Sequence, residues 1–311
     1  MKFAAVFPGQ GSQSVGMLAD LNEAYQSVRD TFAEAADVLG YDIWSLIQNG
    51  PEDKLKLTEY TQPVMYVSGM AVWRAWNEAG GQAPAMMAGH SLGEYSALTA
   101  AGVFGFAEGL ALVAERGRLM GGAVPEGVGG MAAVLGLDDD VITTLCNELN
   151  GERVVQAVNF NSPGQVVISG HLDALEIACE KAKEAGARRA MLLPVSVPNH
   201  SSLMDSVVAP LAGKIGATAT AESRVPVVQN LTARPSADVS ATIELLSQHV
   251  NNPVYWTDSV RYMAGEGVEL VIEMGPGKVL TGLNKRIDKS LVGACVEDVA
   301  SLEKALSLVN E

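Results

Sequence analysis

Ala85-Met86-Met87-Ala88-Gly89-His90-Ser91-Leu92-Gly93-Glu94-Tyr95-Ser96-Ala97-Leu98 is the stretch that decides how this chain is read. An apolar run leads into G-x-S-x-G and a helix-forming segment follows, the strand-turn-helix setting that lifts a nucleophilic serine out of a sheet. The glycines have a mechanical role: the turn is tight, and a side chain at either flank would clash. Ser91 then stands at a helix N-terminus, where the helix dipole and free backbone N–H groups favour a developing oxyanion.

Strand-like and helix-like segments alternate on both sides of this elbow, the pattern of an α/β fold with a mostly parallel sheet. Phe3 to Phe7 reads as the first strand and Ala24 to Leu39 as a helix stopped by Gly40. Thr61-Gln62-Pro63 reads as a helix start with proline in the first turn, the helix running through Trp73 and Trp76 to Gly80-Gly81. After the elbow come a helix ending near Gly102 and another from Ala107 to Met120, and Val225 to Val228 and Leu270 to Met274 supply later strands. Beyond a glycine-rich hinge at 121–130 the texture changes. Strand (Met131 to Leu135), helix (Asp139 to Leu149), two strands (Val154 to Asn159, Gln165 to Ser169), helix (Leu172 to Gly186) and strand (Arg189 to Val195) follow in turn. That β-α-β-β-α-β order in about 70 residues predicts a ferredoxin-like inserted subdomain. The expected division is a hydrolase-like catalytic domain over 1–124 and 196–311 and a ferredoxin-like subdomain over 125–195, with a small-molecule cleft between them.

With 311 residues, 48% hydrophobic and 18% charged, the chain can bury a large core in one large domain or two modest ones. No apolar stretch approaches the roughly 18 residues that span a bilayer. Phe3 to Phe7 is too short for the apolar part of a signal peptide, so a cytoplasmic protein with no membrane partner is expected. Cys146, Cys179 and Cys295 are widely spaced with no CxxC, and read as small buried hydrophobes in a reducing compartment rather than as metal ligands. A formal charge of −15 argues against nucleic-acid binding. Two basic clusters remain, Lys278, Lys285, Arg286 and Lys289 near the C-terminus and Lys181, Lys183, Arg188 and Arg189 in the insert. Each reads either as a solvated helix face or as a local basic surface on an acidic whole.

A serine hydroxyl is a weak nucleophile near neutral pH, so Ser91 needs a base within hydrogen-bond reach. The chain has four histidines. His90 adjoins the serine and reads as a packing or turn residue, His171 follows a turn in the insert, and His249 ends a helix-like segment. His200 is the best candidate. It follows Pro194-Val195-Ser196-Val197-Pro198-Asn199, where the chain returns from the insert stiffened by two prolines, a loop able to hold an imidazole over a cleft. Between Ser91 and His200 no acidic residue on a strand end offers itself as the third triad member, and a backbone carbonyl is the expected substitute on Nδ1–H. Gly9-Gln10-Gly11-Ser12-Gln13 follows the first strand and can bring a backbone N–H toward the serine. With Ser14 where a dinucleotide fingerprint needs its third glycine, NAD and FAD are discounted. Arg116 meets Leu112, Val113, Leu119 and Met120 one turn away, whereas Arg118 meets Glu115, an ordinary surface partner. A guanidinium on an apolar face needs an anion. Arg116 is therefore either a bidentate clamp for a substrate carboxylate or half of a structural salt bridge.

Taken together these segments resemble the malonyl-CoA:acyl carrier protein transacylases of type II fatty acid synthesis. The likeness runs over essentially the whole chain: Phe7-Pro8-Gly9-Gln10-Gly11-Ser12-Gln13, Gly89-His90-Ser91-Leu92-Gly93-Glu94-Tyr95-Ser96-Ala97, Glu115-Arg116-Gly117, Val158-Asn159-Phe160-Asn161-Ser162-Pro163-Gly164-Gln165, Val195-Ser196-Val197-Pro198-Asn199-His200, Asn252-Pro253-Val254-Tyr255-Trp256 and Gly275-Pro276-Gly277-Lys278-Val279-Leu280. The resemblance implies Ser91 as nucleophile, His200 as its base, Arg116 as partner of the malonyl carboxylate, and the backbone N–H groups of Gln10 and Leu92 as oxyanion hole. It also implies malonyl-CoA and a phosphopantetheinylated acyl carrier protein as substrates, with no metal or redox cofactor. An acidic carrier would dock on the C-terminal cluster through Lys285 and Arg286, or else near Arg188 and Arg189. Where the family has a glutamine four residues before the proline of N-P-V-x-W, this chain has His249, a support expected to act through its backbone carbonyl; Asn199 replaces the commoner serine. A free-standing acyltransferase of a polyketide synthase would share nearly every motif, and a serine esterase or thioesterase would share the elbow but leave Arg116 unexplained.

Overall fold

The computed structural model describes residues 1–195 and 197–311; Ser196, in the segment that returns from the insert, lies outside the described residues. The described strands are β1 (Phe3–Phe7), β2 (Met86–Gly89), β3 (Gly129–Leu135), β4 (Val155–Ser162), β5 (Gln165–His171), β6 (Arg189–Leu192), β7 (Val227–Val228), β8 (Leu270–Met274) and β9 (Val292–Val296). They form two sheets. The larger has the order β7-β2-β1-β8-β9, with parallel pairing throughout. In β1 every residue is buried, as a strand covered on both faces requires. Its alternation divides it between two cores: Phe3, Ala5 and Phe7 join the cluster that includes the helix Thr58–Glu78, while Ala4 and Val6 join one with Trp256 and Val260. Fully burying a side chain such as Phe7 contributes about 1.5–3 kcal/mol.

The chain runs from β1 outward to β2 and β7 on one side, then places β8 and β9 on the other. Ligands in open parallel sheets bind beyond the strand C-termini at such a reversal. The loop after β1 and the elbow after β2 both emerge there.

The smaller sheet is antiparallel with the order β4-β5-β3-β6, the interlocked form of the expected β-α-β-β-α-β motif. One of its faces, with Ala132, Val134 and Ile168, packs on the helices Asp139–Leu149 and Leu172–Glu184. The other carries Met131, Val158 and Val167, and Met131 and Val167 line a cleft together with residues of the loop after β1 and of the elbow.

Several boundaries differ from expectation. The first helix is broken at Tyr25, whose extended backbone separates Ala19–Ala24 from Gln26–Leu39. The helix read as starting near Pro63 begins at Thr58 instead. Pro63 forfeits one backbone hydrogen bond inside it, and the deep burial of Val64, Met65, Tyr66 and Val67 on the same helix offsets that loss. Strand β6 stops at Leu192 rather than Val195. Cys146 and Cys179 are buried as expected, but Cys295 is only half-buried. No described helix is long and apolar enough to cross a membrane.

Candidate active site

The elbow is built as its glycines require. Ser91 stands at φ 52°, in the left-handed region that strains a residue with a side chain. A Cβ on Gly89 would lie 1.9 Å from the Gly93 backbone, and one on Gly93 would lie 2.1 Å from the Phe7 carbonyl oxygen, so neither flank accepts a larger residue. Asn230, just after β7, ties the turn down. Its side-chain oxygen accepts the Ser91 N–H at 2.8 Å, its amide donates to the Gly89 carbonyl at 2.6 Å, and its own N–H donates to Glu94 Oε2 at 3.0 Å.

His200 reaches the serine from the return loop, its Nε2 2.7 Å from Ser91 Oγ. Like Ser91 it has a left-handed backbone, at φ 65°, and it is only 2% exposed. Its Nδ1 lies 3.1 Å from the His249 carbonyl oxygen and 3.0 Å from that of Asn252. Because a carbonyl can only accept, Nδ1 holds the proton and Nε2 turns its lone pair to the serine hydroxyl. Burial, and then the Arg116 guanidinium, hold the ring's pKa down at about 3. The imidazole is thus a free base throughout the neutral range.

Arg116 is 1% exposed on the helix Phe106–Gly121. Its Nη1 donates to Gln62 Oε1 at 2.6 Å and its Nη2 lies 3.4 Å from Ser91 Oγ, while Nε is buried without a partner among the described residues. Neither hydrogen-bonding partner is a carboxylate, so the salt-bridge reading of Arg116 does not describe this fold. What the guanidinium faces is the serine. Arg118, by contrast, pairs with Glu115 at 2.7 Å on the surface.

Gln10 and Leu92 line the same cleft, of roughly 250 Å³, with Ser91, Arg116 and His200. Gly9 permits this approach, since a Cβ there would lie 2.6 Å from the His90 carbonyl oxygen. His90 itself turns away, its Nε2 2.7 Å from Asn161 Oδ1 and its ring against Trp256. Leu92 precedes the first turn of the helix Gly93–Ala100, so its N–H belongs to the donors a helix leaves free at its start. Among the described residues no group of three or more His, Cys, Asp or Glu is disposed to hold a metal ion.

The two basic clusters turn out to be neighbours. Arg188 and Arg189 from the insert and Arg286 from the main body line one surface depression together with Gln165, which also lines the cleft. Arg286 donates to Gln165 Oε1 at 2.6 Å, and Lys285 is exposed beside it. Lys278 and Lys183 fall out of this surface, paired with Glu297 at 2.6 Å and Glu180 at 2.8 Å.

Sequence reasoning missed Gln62, Glu94, Asn230 and the Asn252 carbonyl as parts of the site. Asn230 carried a signal, a polar side chain at the C-terminal end of a strand. Gln62 was hidden in a helix-start motif, and a backbone carbonyl leaves no trace in residue identity.

A family model described as "Acyl transferase domain" matches residues 5–305. A malonyl CoA-acyl carrier protein transacylase of Salmonella typhimurium is 51% identical over 306 residues, covering 98% of this chain and 99% of its own length. The crystal structure of an acyl carrier protein S-malonyltransferase from Vibrio cholerae superposes with a TM-score of 0.95 at 51% identity, covering 98% of this chain and 100% of that one. A malonyl-transacylase solved in complex with its type II PKS acyl-carrier protein gives 0.97 at 49% identity, covering 99% and 100%. With likeness at this level along its full length, and with the elbow, histidine and arginine assembled in one cleft, the chain belongs to the malonyl CoA-acyl carrier protein transacylase family of acyltransferases.

Proposed function

We propose that this protein transfers the malonyl group from malonyl-CoA to the phosphopantetheine thiol of an acyl carrier protein, through a malonyl ester on Ser91. The observation that carries this reading is the meeting of three groups in one cleft: Ser91 Oγ lies 2.7 Å from His200 Nε2 and 3.4 Å from Arg116 Nη2. Ser91 attacks the thioester carbonyl as His200 takes its proton, and the oxyanion that forms is held by the N–H groups of Gln10 and Leu92. Collapse expels coenzyme A, whose sulfur receives that proton from His200. The carrier thiol then repeats the sequence in reverse, with the same base and hole serving both halves in ping-pong order. Arg116 pairs with the free malonyl carboxylate throughout. An esterase would have no use for that cation. No step in this proposal calls on a metal or redox cofactor, and a cytoplasmic setting is proposed with it.

The cleft is proposed to lie between two units, a hydrolase-like catalytic domain of residues 1–124 and 196–311 and a ferredoxin-like subdomain of 125–195. The carrier is proposed to dock at the depression they share, through Lys285 and Arg286 with Arg188 and Arg189 adjoining. Charges at an interface rim chiefly steer association. Lys285→Glu with Arg286→Glu should therefore weaken carrier use and flatten its salt dependence while Ser91 acylation by malonyl-CoA persists. Unchanged carrier kinetics in that variant would move the docking face elsewhere.

The transfer reading is tested by loading the enzyme with malonyl-CoA, removing free coenzyme A, and following the adduct by intact mass. Loss of the adduct should be far faster with a phosphopantetheinylated carrier than with buffer, and equal rates would make the protein a hydrolase. Offering a fatty acid carrier and a type II polyketide carrier side by side separates those two roles, and faster transfer to the fatty acid carrier is expected.

A further inference from the structure

Behind His200 lies a second histidine whose ring makes no hydrogen bond among the described residues. His249 is 1% exposed, its ring centroid is 5.0 Å from that of His200, and neither of its ring nitrogens has a hydrogen-bond partner among the described residues. Glu94, also 1% exposed, holds Oε2 3.9 Å from His249 Nδ1. These contacts close a circuit around the elbow. Ser91 Oγ meets His200 Nε2, His200 Nδ1–H is held by the His249 carbonyl, the His249 ring faces Glu94, Glu94 accepts the Asn230 N–H, and Asn230 accepts the Ser91 N–H.

We propose that Glu94 and His249 form a neutral positioning pair, with the proton on the Glu94 carboxyl directed at His249 Nδ1, that fixes the His249 carbonyl and through it the orientation of His200. The proposal rests on the reading of His200 as the base.

Three observations support it. A buried imidazole with both nitrogens unpaired and a buried carboxyl beside it are each costly alone, and shortening their 3.9 Å separation by about 1 Å brings them to hydrogen-bond distance. Both groups are also pushed toward their neutral forms. Burial first, and then the charges of His200, Arg116 and His90, keep His249 well below the usual histidine range. Burial raises Glu94 to about 8 against the opposing pull of the Asn230 N–H and Arg116. Finally, a neutral pair suits the chemistry. An imidazolium at His249 would stand 5.0 Å from the ring that must accept a proton from Ser91, and would oppose that transfer. A glutamine, the residue the family resemblance places here, donates and accepts without charge. A neutral histidine does the same through its one N–H and its one lone pair, and a protonated Glu94 facing Nδ1 supplies a donor for that lone pair.

The pair also has a stability signature. An unfolded chain releases the Glu94 proton in the ordinary carboxylate range, whereas the folded protein keeps it up to about pH 8. Between those values the native state binds more protons, so this group's contribution to stability falls as pH rises. Glu94→Gln removes that loss, and its melting temperature relative to wild type should be higher at about pH 8 than at about pH 5.

The decisive experiment is ¹⁵N NMR of the histidine rings in the wild-type protein, with the His249 signals identified by their absence in His249→Gln. At about pH 7 they should show a neutral ring protonated on Nε2, with Nδ1 accepting. An imidazolium, or the opposite tautomer, overturns the pair. Kinetics give a second arm. Glu94→Ala should slow Ser91 acylation about tenfold or more, chiefly in kcat, and Glu94→Gln should restore most of it. If the glutamine variant is as slow as the alanine variant, Glu94 acts as a charge and the pair is overturned. Failure of the base reading looks different: His200→Ala would acylate normally, whatever protonation state His249 displays.

Discussion

Replacing Arg116 with alanine is expected to cut malonyl transfer by about 30- to several-thousand-fold, the equivalent of about 2–5 kcal/mol for leaving a buried charge unpaired, while acetyl transfer holds or rises. The reason is local. The guanidinium is 1% exposed, Gln62 already occupies Nη1, and Nη2 is aimed at the serine. The malonyl carboxylate would then be left without a counter-charge in a poorly solvated cleft, whereas an acetyl group has no carboxylate to lose. Substrate preference should therefore invert or nearly so. The same variant should raise the His200 pKa, because Arg116 is the second-largest influence holding it down. Loss of both acyl activities together would make Arg116 a structural residue instead.

His200→Ala is expected to slow both half-reactions by about 10²–10⁴, the usual worth of a positioned general base. Serine acylation by the wild type should not be lost to protonation of free His200 until the pH falls far below the ordinary histidine range, since burial and Arg116 keep the ring neutral down to about pH 3. The same depression has a stability consequence. An unfolded chain binds the His200 proton near pH 6.5 and the folded one does not, so this contribution is present above that value and fades as pH falls below it. His249→Gln should change the rates far less than His200→Ala, because the carbonyl that holds Nδ1 is retained.

The elbow and the inserted motif were legible because local rules determine both. Gly89 and Gly93 sit where backbones approach too closely for a side chain, and the period-two alternation in β3 and β5 sorts residues between two faces. The short helices Ile43–Asn49 and Glu52–Lys56, the later helices Asp205–Gly216 and Trp256–Gly265, and strand β9 were not placed. Strand β9 shows why: the apolar run from Leu291 to Val296 is short and shows no alternation to mark a strand, Val292 and Gly293 are exposed, and it exists through its pairing with β8. Ser91, His200 and Arg116 could be named from motif and neighbours. Their support could not. Asn230, Glu94 and the carbonyls of His249 and Asn252 act through contacts between segments far apart in the chain, at separations only the folded structure reveals. The convergence of Arg188 and Arg189 with Arg286 is of the same kind, since Leu135, Gln165 and the insert's last strand must meet the main body before the three share a surface.

The measurement that bears most directly on a malonyl-serine acyltransferase is intact mass after brief exposure to malonyl-CoA, run on the wild type and on Ser91→Ala. The wild type should gain a single malonyl adduct that peptide mapping places on Ser91 and that a phosphopantetheinylated carrier then removes, and the alanine variant should gain none. Labelling of Ser91→Ala to the same extent, or a wild-type protein that turns over malonyl-CoA without ever holding the adduct, would contradict the account.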